Sequence, residues 1–572
     1  MQKAGAIQMK MKNIFENKKT PALLLFTVLS GILLIISWPP RHTGFLLLLS
    51  FIPLLYALDQ AKNLKQTFLF SLIACLLWAL GTMYWEAGVS TLNAGSKRFF
   101  FIISFLIVAL LMTIPFLLWK RLQKYLPAYL RWLSLPLLWT AYEYLNGKGD
   151  LAMNWLNLEY GLTYFPRVIR FSQFTGSHGV TFLVMSVNIL LYLILKNRKE
   201  KKPLKVPVLL LLLIFLGISA TDILSSSTSA NSGKTKKVAI IQPNWNSFYT
   251  PDDNAFDHEI DTLEKLTAPL IGQHIDLVVC SEAFIHHQSR STHAILMDGI
   301  NLNDSTVQRL RRLSAKLGAP ILTGMELAKL YSSDGPPTLT AQFVSRKFYY
   351  DTYNAAVLIS YDQPVQIYVK NKLCPFTERF PFLGFFSFFN NYNERINKKY
   401  ISYGTFENPN IITYGDMRIA AAICWESSFP DYVADMVRKN NANMVALVSS
   451  NFSLGPVAAN IDEAYTIPLA VQLNCPVVRC ANTGISCFID KNGYVSQTSH
   501  WDEQKVMVQD VELSSAQTLF VKQGDLAGKY SFILSILLLL FPFTKRIFKK
   551  LAGPKEAEKN RQPIRPASKS KK

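Results

Sequence analysis

Residues 419–426 read Ile-Ala-Ala-Ala-Ile-Cys-Trp-Glu, and this stretch decides how the C-terminal half of the chain is interpreted. A short apolar run of this kind is typical of a buried β-strand. Cys424 follows the run directly, so the strand would present a thiol at a strand-to-loop corner, with Trp425 and Glu426 beside it. Because buried cysteines are commonly inert packing residues, the thiol is a candidate nucleophile only if other segments supply the groups it needs.

Two upstream stretches end in ionisable residues at comparable positions. Glu282 follows the apolar run at 276–280, and Lys370 follows Gln-Ile-Tyr-Val at 366–369. Taken alone, Glu282 could be a helix-capping or solvated acid, and Lys370 an exposed lysine. Together with Cys424 they could supply the groups that nucleophilic catalysis by a thiol requires. A thiol with a pKa of about 8.5 needs a base, which a carboxylate in apolar surroundings can provide. A nearby ammonium group favours the thiolate and helps to hold a tetrahedral oxyanion, so the three residues predict an acyl-transfer site.

The region around these residues alternates between strand-like and helix-like segments. Apolar runs predict strands at 238–242, 276–280, 355–360, 418–424, 444–449 and 476–480, and helical patterns fit 254–271, 304–317, 429–439 and 457–474. This alternation predicts an α/β domain built on mixed sheets. We place this catalytic domain at 238–528, after a Ser/Thr/Gly/Lys-rich linker at 224–237.

The rest of the chain is dominated by apolar stretches. They lie near 21–38, 44–58, 67–85, 99–119, 132–145, 179–195, 206–223 and 529–544, in a chain of 572 residues of which 50% are hydrophobic. One such stretch could be a buried core helix, but eight of them predict a multi-span membrane bundle. We expect seven spans in an N-terminal membrane domain, 1–223, and an eighth at 529–548.

Charge patterning predicts the orientation of these spans. The net charge of +21 is concentrated in short basic segments between apolar stretches, which argues against a nucleic-acid-binding face. With eight spans, all of these segments fall on one side, which the positive-inside rule makes cytoplasmic. Both termini, including a basic tail at 549–572, would then be cytoplasmic, and the catalytic domain would lie in the periplasm of a bacterial inner-membrane protein. The seven cysteines show no metal-type spacing, and we expect no metal or organic cofactor.

Three motifs give this chain a resemblance to a known family. The order Glu282, Lys370, Cys424 is similar to that of the nitrilase superfamily. Tyr-x-Lys-x-x-Leu-x-Pro-Phe-x-Glu at 368–378, Cys-Trp-Glu at 424–426 and Arg-x-Ala-Asn-Thr-Gly-Ile-Ser at 479–486 resemble its membrane-embedded members, the apolipoprotein N-acyltransferases. The resemblance extends over nearly the whole chain, including the eight spans.

The resemblance implies a four-layer αββα sandwich and a two-step reaction. Cys424 would take an acyl chain from a phospholipid, typically phosphatidylethanolamine, as a thioester, and pass it to the α-amine of the S-diacylglyceryl cysteine that begins an apolipoprotein. Glu282 would be the general base and Lys370 the oxyanion stabiliser. Glu378 and Glu426 match the family's supporting acids, and Trp425 stands where the family usually has Tyr. We expect a monomer.

Several departures from the family pattern keep two other functions open. Thr377 replaces a common Gly, the Asn-Asp-x-Trp element is absent after Ser449, and a Gln-His pair is absent near Asn460. The alternatives are a membrane-tethered carbon–nitrogen hydrolase or amidase, and a non-catalytic lipoprotein-binding homologue. We also expect the Phe-rich segment 376–389 to be either a packed arm or a flap that admits acyl chains.

Overall fold

The computed structural model describes most of the chain between residues 20 and 551. The described residues are 20–88, 94–228, 234–245, 255–285, 295–297, 305–332, 334, 337–345, 347–375, 377–379, 381–382, 384, 402–406, 411–451, 455–514 and 516–551. Apart from Phe382, the phenylalanines of the Phe-rich segment lie outside these residues, so the flap stays a hypothesis.

The N-terminal part of the described chain is entirely helical. Its α-helices are α1 (Thr20–Ile36), α2 (Leu47–Ser50), α3 (Ile52–Gln60), α4 (Leu64–Met83), α5 (Ala94–Leu122), α6 (Ala128–Asn146), α7 (Pro166–Ile169), α8 (Ser172–Thr175), α9 (His178–Lys199) and α10 (Lys205–Thr228). Short 3-10 helices occupy Gly44–Leu46, Tyr84–Gly88, Asn154–Leu156 and Leu158–Leu162.

Helices occupy each of the eight apolar stretches predicted from the sequence. Five described helical segments are long and apolar enough to cross a membrane: Leu64–Glu86, Ile103–Leu122, His178–Lys199, Lys205–Ser225 and Leu526–Lys545. Thr20–Ile36 and Gly44–Gln60 are apolar but shorter. An integral membrane protein is therefore supported, and eight crossings remain a prediction.

Polar side chains inside the helical bundle satisfy the backbone where a helix is interrupted. Asn188 of α9 accepts a hydrogen bond from the Phe51 N–H at 2.9 Å and donates one to the Leu47 carbonyl at 2.9 Å. These groups lie at the break between α2 and α3. Because hydrocarbon offers no partner for a free backbone group, this asparagine makes the break tolerable inside the bundle.

The C-terminal part contains fourteen described strands in two mixed sheets. They are β1 (Thr235–Gln242), β2 (Leu277–Cys280), β3 (Ile295–Leu296), β4 (Ile321–Ser332), β5 (Gln342–Ser345), β6 (Phe348–Ile359), β7 (Gln366–Val369), β8 (Ile412–Tyr414), β9 (Met417–Ile423), β10 (Met444–Ser449), β11 (Val477–Ala481), β12 (Cys487–Ile489), β13 (Val495–Ser496) and β14 (Lys505–Glu512). The first sheet has the order β14-β1-β2-β4-β6-β5, with β3 beside β4 and β7 beside β6, and the second has the order β13-β12-β11-β10-β9-β8.

Helices cover the two sheets. They are α11 (Ala255–Thr267), α12 (Ser305–Leu317), α13 (Pro430–Asn440), α14 (Gly455–Leu473) and α15 (Leu519–Gln523), and α16 (Leu526–Leu551) follows the domain. One core holds inward-facing residues of both sheets, including Leu322 and Leu447. Another joins α11 and α12 to the opposite face of the first sheet. The domain is therefore a layered α/β sandwich, in which each predicted strand and helix position is occupied and further strands are present that the sequence did not predict.

The boundaries around the catalytic domain differ slightly from those predicted. Helix α10 continues to Thr228 and β1 begins at Thr235, so the predicted linker 224–237 is shortened from both sides. The helix continues through the small polar residues after 223 because its backbone hydrogen bonds do not depend on apolar side chains. Helix α16 begins at Leu526, three residues before the predicted start of the last span.

Aromatic packing joins the helical region to the catalytic domain. The Tyr465 hydroxyl of α14 donates to the Trp155 carbonyl at 2.5 Å and accepts from the Trp38 indole N–H at 2.8 Å. The Tyr465 ring also stacks on Tyr160, with centroids 3.9 Å apart. Residues of α14 thereby belong to the same core as the apolar helices. The face of the catalytic domain that carries α14 rests on the bundle.

Candidate active site

Cys424 lies at a strained corner. Strand β9 ends at Ile423, and Cys424 begins a 3-10 turn, Cys424–Ser428, with a φ of +49°. Ala283, directly after Glu282, has a φ of +46°. Non-glycine residues rarely adopt positive φ, and such conformations persist where the surrounding structure enforces them, often at functional sites. Both corners occur immediately next to residues that the sequence singled out.

Lys370 forms the centre of a buried polar cluster. Its ammonium Nζ lies 3.1 Å from Glu282 Oε1 and 2.8 Å from Glu378 Oε1, and its side chain is 1% exposed. Asn354 of β6 donates its Nδ2 protons to the same two oxygens, at 2.8 and 3.1 Å. The structure thus brings Glu282, Lys370 and Glu378 together, and adds Asn354, which the sequence did not indicate.

The electrostatic environment favours a charged Lys370 ammonium and a neutral Cys424 thiol. Burial acts to lower the pKa of Lys370, but Glu282 and Glu378 outweigh it and hold that pKa well above its ordinary value. Burial raises the pKa of Cys424 above its ordinary value, Glu282 adds to this effect and Lys370 opposes it. The resting thiol is therefore protonated, and it needs a base before it can act as a nucleophile.

Matches to known proteins cover both parts of the chain. Residues 30–190 match the family described as apolipoprotein N-acyltransferase N-terminal domain, and residues 237–519 match the carbon–nitrogen hydrolase family. Relatives named apolipoprotein N-acyltransferase include one from Chlorobaculum tepidum, 26% identical over 87% of this chain and 92% of its own. Another, from Thermotoga maritima, is 25% identical over 90% and 92%. The chain thus carries an apolipoprotein N-acyltransferase N-terminal domain and a carbon–nitrogen hydrolase domain, and relatives that match most of its length are named apolipoprotein N-acyltransferase. The predicted nitrilase-like fold is likewise confirmed by the hydrolase match.

Two solved structures show some similarity to this chain. A carbon–nitrogen hydrolase superfamily protein of Xanthomonas campestris has a TM-score of 0.33 and 18% identity, over 49% of this chain and 91% of its own. A mutant amidase of Nesterenkonia has a TM-score of 0.34 and 13% identity, over 52% and 94%.

Glu426 connects two loops through hydrogen bonds. The sequence resemblance matched this residue to a supporting acid of the apolipoprotein N-acyltransferases. Its fully buried carboxylate accepts from the Ile423 N–H at 2.9 Å and from the Tyr368 hydroxyl at 2.7 Å. It also accepts from the backbone N–H groups of Asn371 and Lys372, at 2.7 and 3.1 Å. Since one end of this network holds the corner of the thiol and the other the loop after Lys370, Glu426 fixes their relative position.

Trp425 connects the nucleophile corner to the helical region. Its ring stacks on Trp155, with centroids 5.9 Å apart and an interplanar angle of 20°, and meets Phe429 edge-on at 5.9 Å. Trp155 lies between α6 and α7. Trp425 is therefore a contact between the nucleophile corner and the apolar helical region.

The 479–486 motif supports the site from the second sheet. The buried Arg479 guanidinium pairs with Asp462 at 2.6 Å. Asn482 donates to the Trp245 carbonyl at 2.8 Å and accepts from its N–H at 3.2 Å. Ser486 donates to the Gln242 side chain at 2.6 Å. Because Gln242 and Trp245 belong to β1 and the loop after it, the motif joins the two sheets at the end that carries the site.

Proposed function

We propose that this chain transfers a fatty acyl group from a phospholipid, through a thioester on Cys424, to the α-amine of the S-diacylglyceryl cysteine of apolipoproteins. Phosphatidylethanolamine is the proposed donor. The relatives named apolipoprotein N-acyltransferase support this acceptor. The observation that carries the proposal is the stacking of Trp425, next to the thiol, on Trp155 of the apolar helical region. A site built against membrane-type helices suits a lipid, whereas a small soluble amide needs no such surface.

In the first half-reaction Glu282 takes the proton of the Cys424 thiol, and the thiolate attacks the ester carbonyl of the phospholipid. The negative charge on the carbonyl oxygen is stabilised by the Lys370 ammonium and by a backbone N–H at the corner after Cys424. The C–O bond then breaks, the lysophospholipid alkoxide takes the proton from Glu282, and the acyl group remains on sulfur as a thioester. Water exclusion matters here, because it protects the thioester from hydrolysis.

In the second half-reaction the neutral α-amine attacks the thioester carbonyl. Glu282 takes a proton from nitrogen as the C–N bond forms, the C–S bond breaks, and the proton passes to the sulfur. The amide leaves and the thiol is restored. Lys370 stabilises the oxyanion in both halves, so its buried position between two carboxylates serves both steps.

The proposal is tested with purified protein in mixed micelles with phosphatidylethanolamine and a synthetic diacylglyceryl peptide. We expect N-acylated peptide from the wild type and none from Cys424→Ser, with Glu282→Gln slower by roughly 100- to 10,000-fold. Release of free fatty acid without acylated peptide would favour the hydrolase alternative. Neither product, from protein that is folded and membrane-inserted, would favour the non-catalytic alternative.

The orientation is part of the same proposal. We propose that both termini are cytoplasmic and that the catalytic domain is periplasmic, in the inner membrane. Labelling of single introduced cysteines with a membrane-impermeant maleimide, in a variant lacking exposed native thiols, tests it. Asp510 is exposed, and we expect the cysteine of Asp510→Cys to be labelled in spheroplasts. If it is not labelled there, the catalytic domain lies on the cytoplasmic side.

A further inference from the structure

The loop after β7 brings Lys372 close to the nucleophile corner. Lys372 follows Lys370 by two residues, and its backbone N–H donates to the Glu426 carboxylate at 3.1 Å. The same carboxylate accepts from the N–H of Ile423, the residue before Cys424, at 2.9 Å. Lys372 is therefore held beside the turn that begins at the thiol.

The Lys372 ammonium lies over two aromatic rings. Its Nζ is 5.5 Å from the centre of the Phe429 ring and 5.4 Å from that of Tyr432, and the side chain is partly exposed. Among the residues that the structure describes, no acidic side chain forms an ion pair with it. Ring faces attract a cation without accepting its protons as a carboxylate does, so the ammonium can still donate hydrogen bonds to an anion.

A second ammonium group reaches the same place from the helical region. Lys148 lies in the turn after α6, and its Nζ pairs with Asp431 Oδ2 at 2.6 Å. Because Asp431 stands between Phe429 and Tyr432 in sequence, the two lysines meet at the first turn of α13. Burial and the positive charge of Lys148 lower the pKa of Lys372, as expected for neighbouring like charges. The Asp431 carboxylate already pairs with Lys148, so an excess of positive charge remains.

The turn that carries Lys148 lies at the end of an apolar helix, on the side of the catalytic domain. Helix α6 ends at Asn146, and Leu145 and Leu151 on either side of the lysine are 48% and 46% exposed. Exposed apolar side chains next to a lysine suit the membrane–water interface, where the phosphate groups of lipids lie. The ester of a phospholipid is only a few bonds from its phosphate, so a lipid whose ester reaches Cys424 brings an anion close to both lysines.

We propose that Lys372, assisted by Lys148, forms a subsite for the phosphate group of the donor phospholipid. A phosphodiester carries one negative charge, and its oxygen atoms accept charge-assisted hydrogen bonds from ammonium groups. This inference rests on the proposed function and adds the part of the donor that the chain recognises. Phosphatidylethanolamine and phosphatidylglycerol both fit this subsite, because both carry the phosphate, whereas a diacylglycerol does not.

The experiment measures thioester formation on Cys424 from three donors in neutral detergent micelles. The donors are phosphatidylethanolamine, phosphatidylglycerol and a diacylglycerol with the same acyl chains, which lacks the phosphate. Lys372→Gln and Lys148→Gln each remove one ammonium group, and Lys372→Arg keeps the positive charge. Lys439→Gln, which removes an exposed lysine at the other end of α13, is the matched control.

A phosphate subsite predicts that Lys372→Gln raises the KM for both phospholipids by roughly 10- to 100-fold, as for the loss of a hydrogen bond between charged groups. The rate at saturation and the reaction of diacylglycerol should stay at the wild-type level. Lys148→Gln should raise the same two KM values by a few fold, and Lys372→Arg should have little effect. The inference is overturned if the phospholipid KM values do not change, if diacylglycerol is slowed equally, if only phosphatidylethanolamine is affected, or if Lys439→Gln has the same effect.

A second measurement does not depend on the reaction. Dialkyl ether phosphatidylethanolamine and dialkylglycerol have no ester to cleave, and their binding to the intact protein is measured by native mass spectrometry. Lys372→Gln should weaken binding of the ether phospholipid by the same factor and leave dialkylglycerol binding unchanged, and equal binding of the ether phospholipid would overturn the subsite. If instead only binding of added inorganic phosphate depends on Lys372, the lysine binds a free anion and the lipid subsite is wrong. Failure of the proposed function itself would look different, since the wild type would then bind the ether phospholipid but form no thioester with any donor.

Discussion

Replacing Lys370 with methionine removes the ammonium group at the centre of the polar cluster. The side chain is 1% exposed, and its ammonium pairs with Glu282 at 3.1 Å and Glu378 at 2.8 Å. Methionine fills a similar volume, so little packing is lost. What remains is the buried Glu282 carboxylate and the partly exposed Glu378 carboxylate, which share the amide of Asn354. Leaving a buried charge without its partner costs about 3–5 kcal/mol of unfolding free energy.

The assay is chemical or thermal unfolding of the purified protein in detergent, with Lys372→Met as the matched control. The Lys372 ammonium is partly exposed and lies over the Phe429 and Tyr432 rings, at 5.5 and 5.4 Å. Its loss should cost only about 0.5–2 kcal/mol. A cost below about 1 kcal/mol would refute the stabilising role of the ion pairs.

Further substitutions test other charged groups inside the catalytic domain. Glu326→Gln should stabilise the protein at about pH 8 by up to about 3 kcal/mol and have little effect near pH 4.5. Burial raises the pKa of Glu326 to about 7, so the native state loses stability relative to the unfolded state only when the pH is high enough to ionise the unfolded carboxyl group. A stabilisation by Glu326→Gln that grows as the pH falls would contradict this explanation. Glu426→Gln should lower the free energy of unfolding, measured by thermal unfolding, by about 2–4 kcal/mol, because an amide cannot accept all four hydrogen bonds. A loss below about 1 kcal/mol would argue against a stabilising role of this hydrogen-bond network. Arg479→Met should lower the free energy of unfolding by about 3–5 kcal/mol, because it leaves Asp462 buried without its cation. Adding Asp462→Asn to the same protein should restore part of that stability. If no stability is recovered, the two residues are not energetically coupled.

Much of the layered domain could be predicted from short apolar runs. The runs at 238–242, 276–280 and 444–449 correspond to β1, β2 and β10, since a strand covered on both faces is apolar throughout. Strands β4 and β14 were not predicted. They carry polar residues such as Lys329 and Gln509 among apolar ones, and their pairing along β6 and β1 comes from distant parts of the chain.

The same difference explains which parts of the site the sequence could indicate. Glu282, Lys370 and Cys424 come directly after apolar runs, where a strand end makes a side chain available to a ligand. Asn354 lies inside a long strand, and nothing in its local sequence separates it from ordinary strand residues. Only the pairing of β6 with β4 and β7, which come from other parts of the chain, brings it to the site.

The most direct test of the central claim is the location of the acyl group on the protein itself. Protein incubated with phosphatidylethanolamine is digested, and the peptides are mapped by mass spectrometry at a pH that preserves thioesters. We expect one fatty acyl mass on the peptide that carries Cys424, its disappearance when a diacylglyceryl peptide is added, and its absence from Cys424→Ala. Acylated peptide product formed by Cys424→Ala, or an acyl group found on a different residue that transfers to the acceptor, would show that the reaction does not pass through a Cys424 thioester.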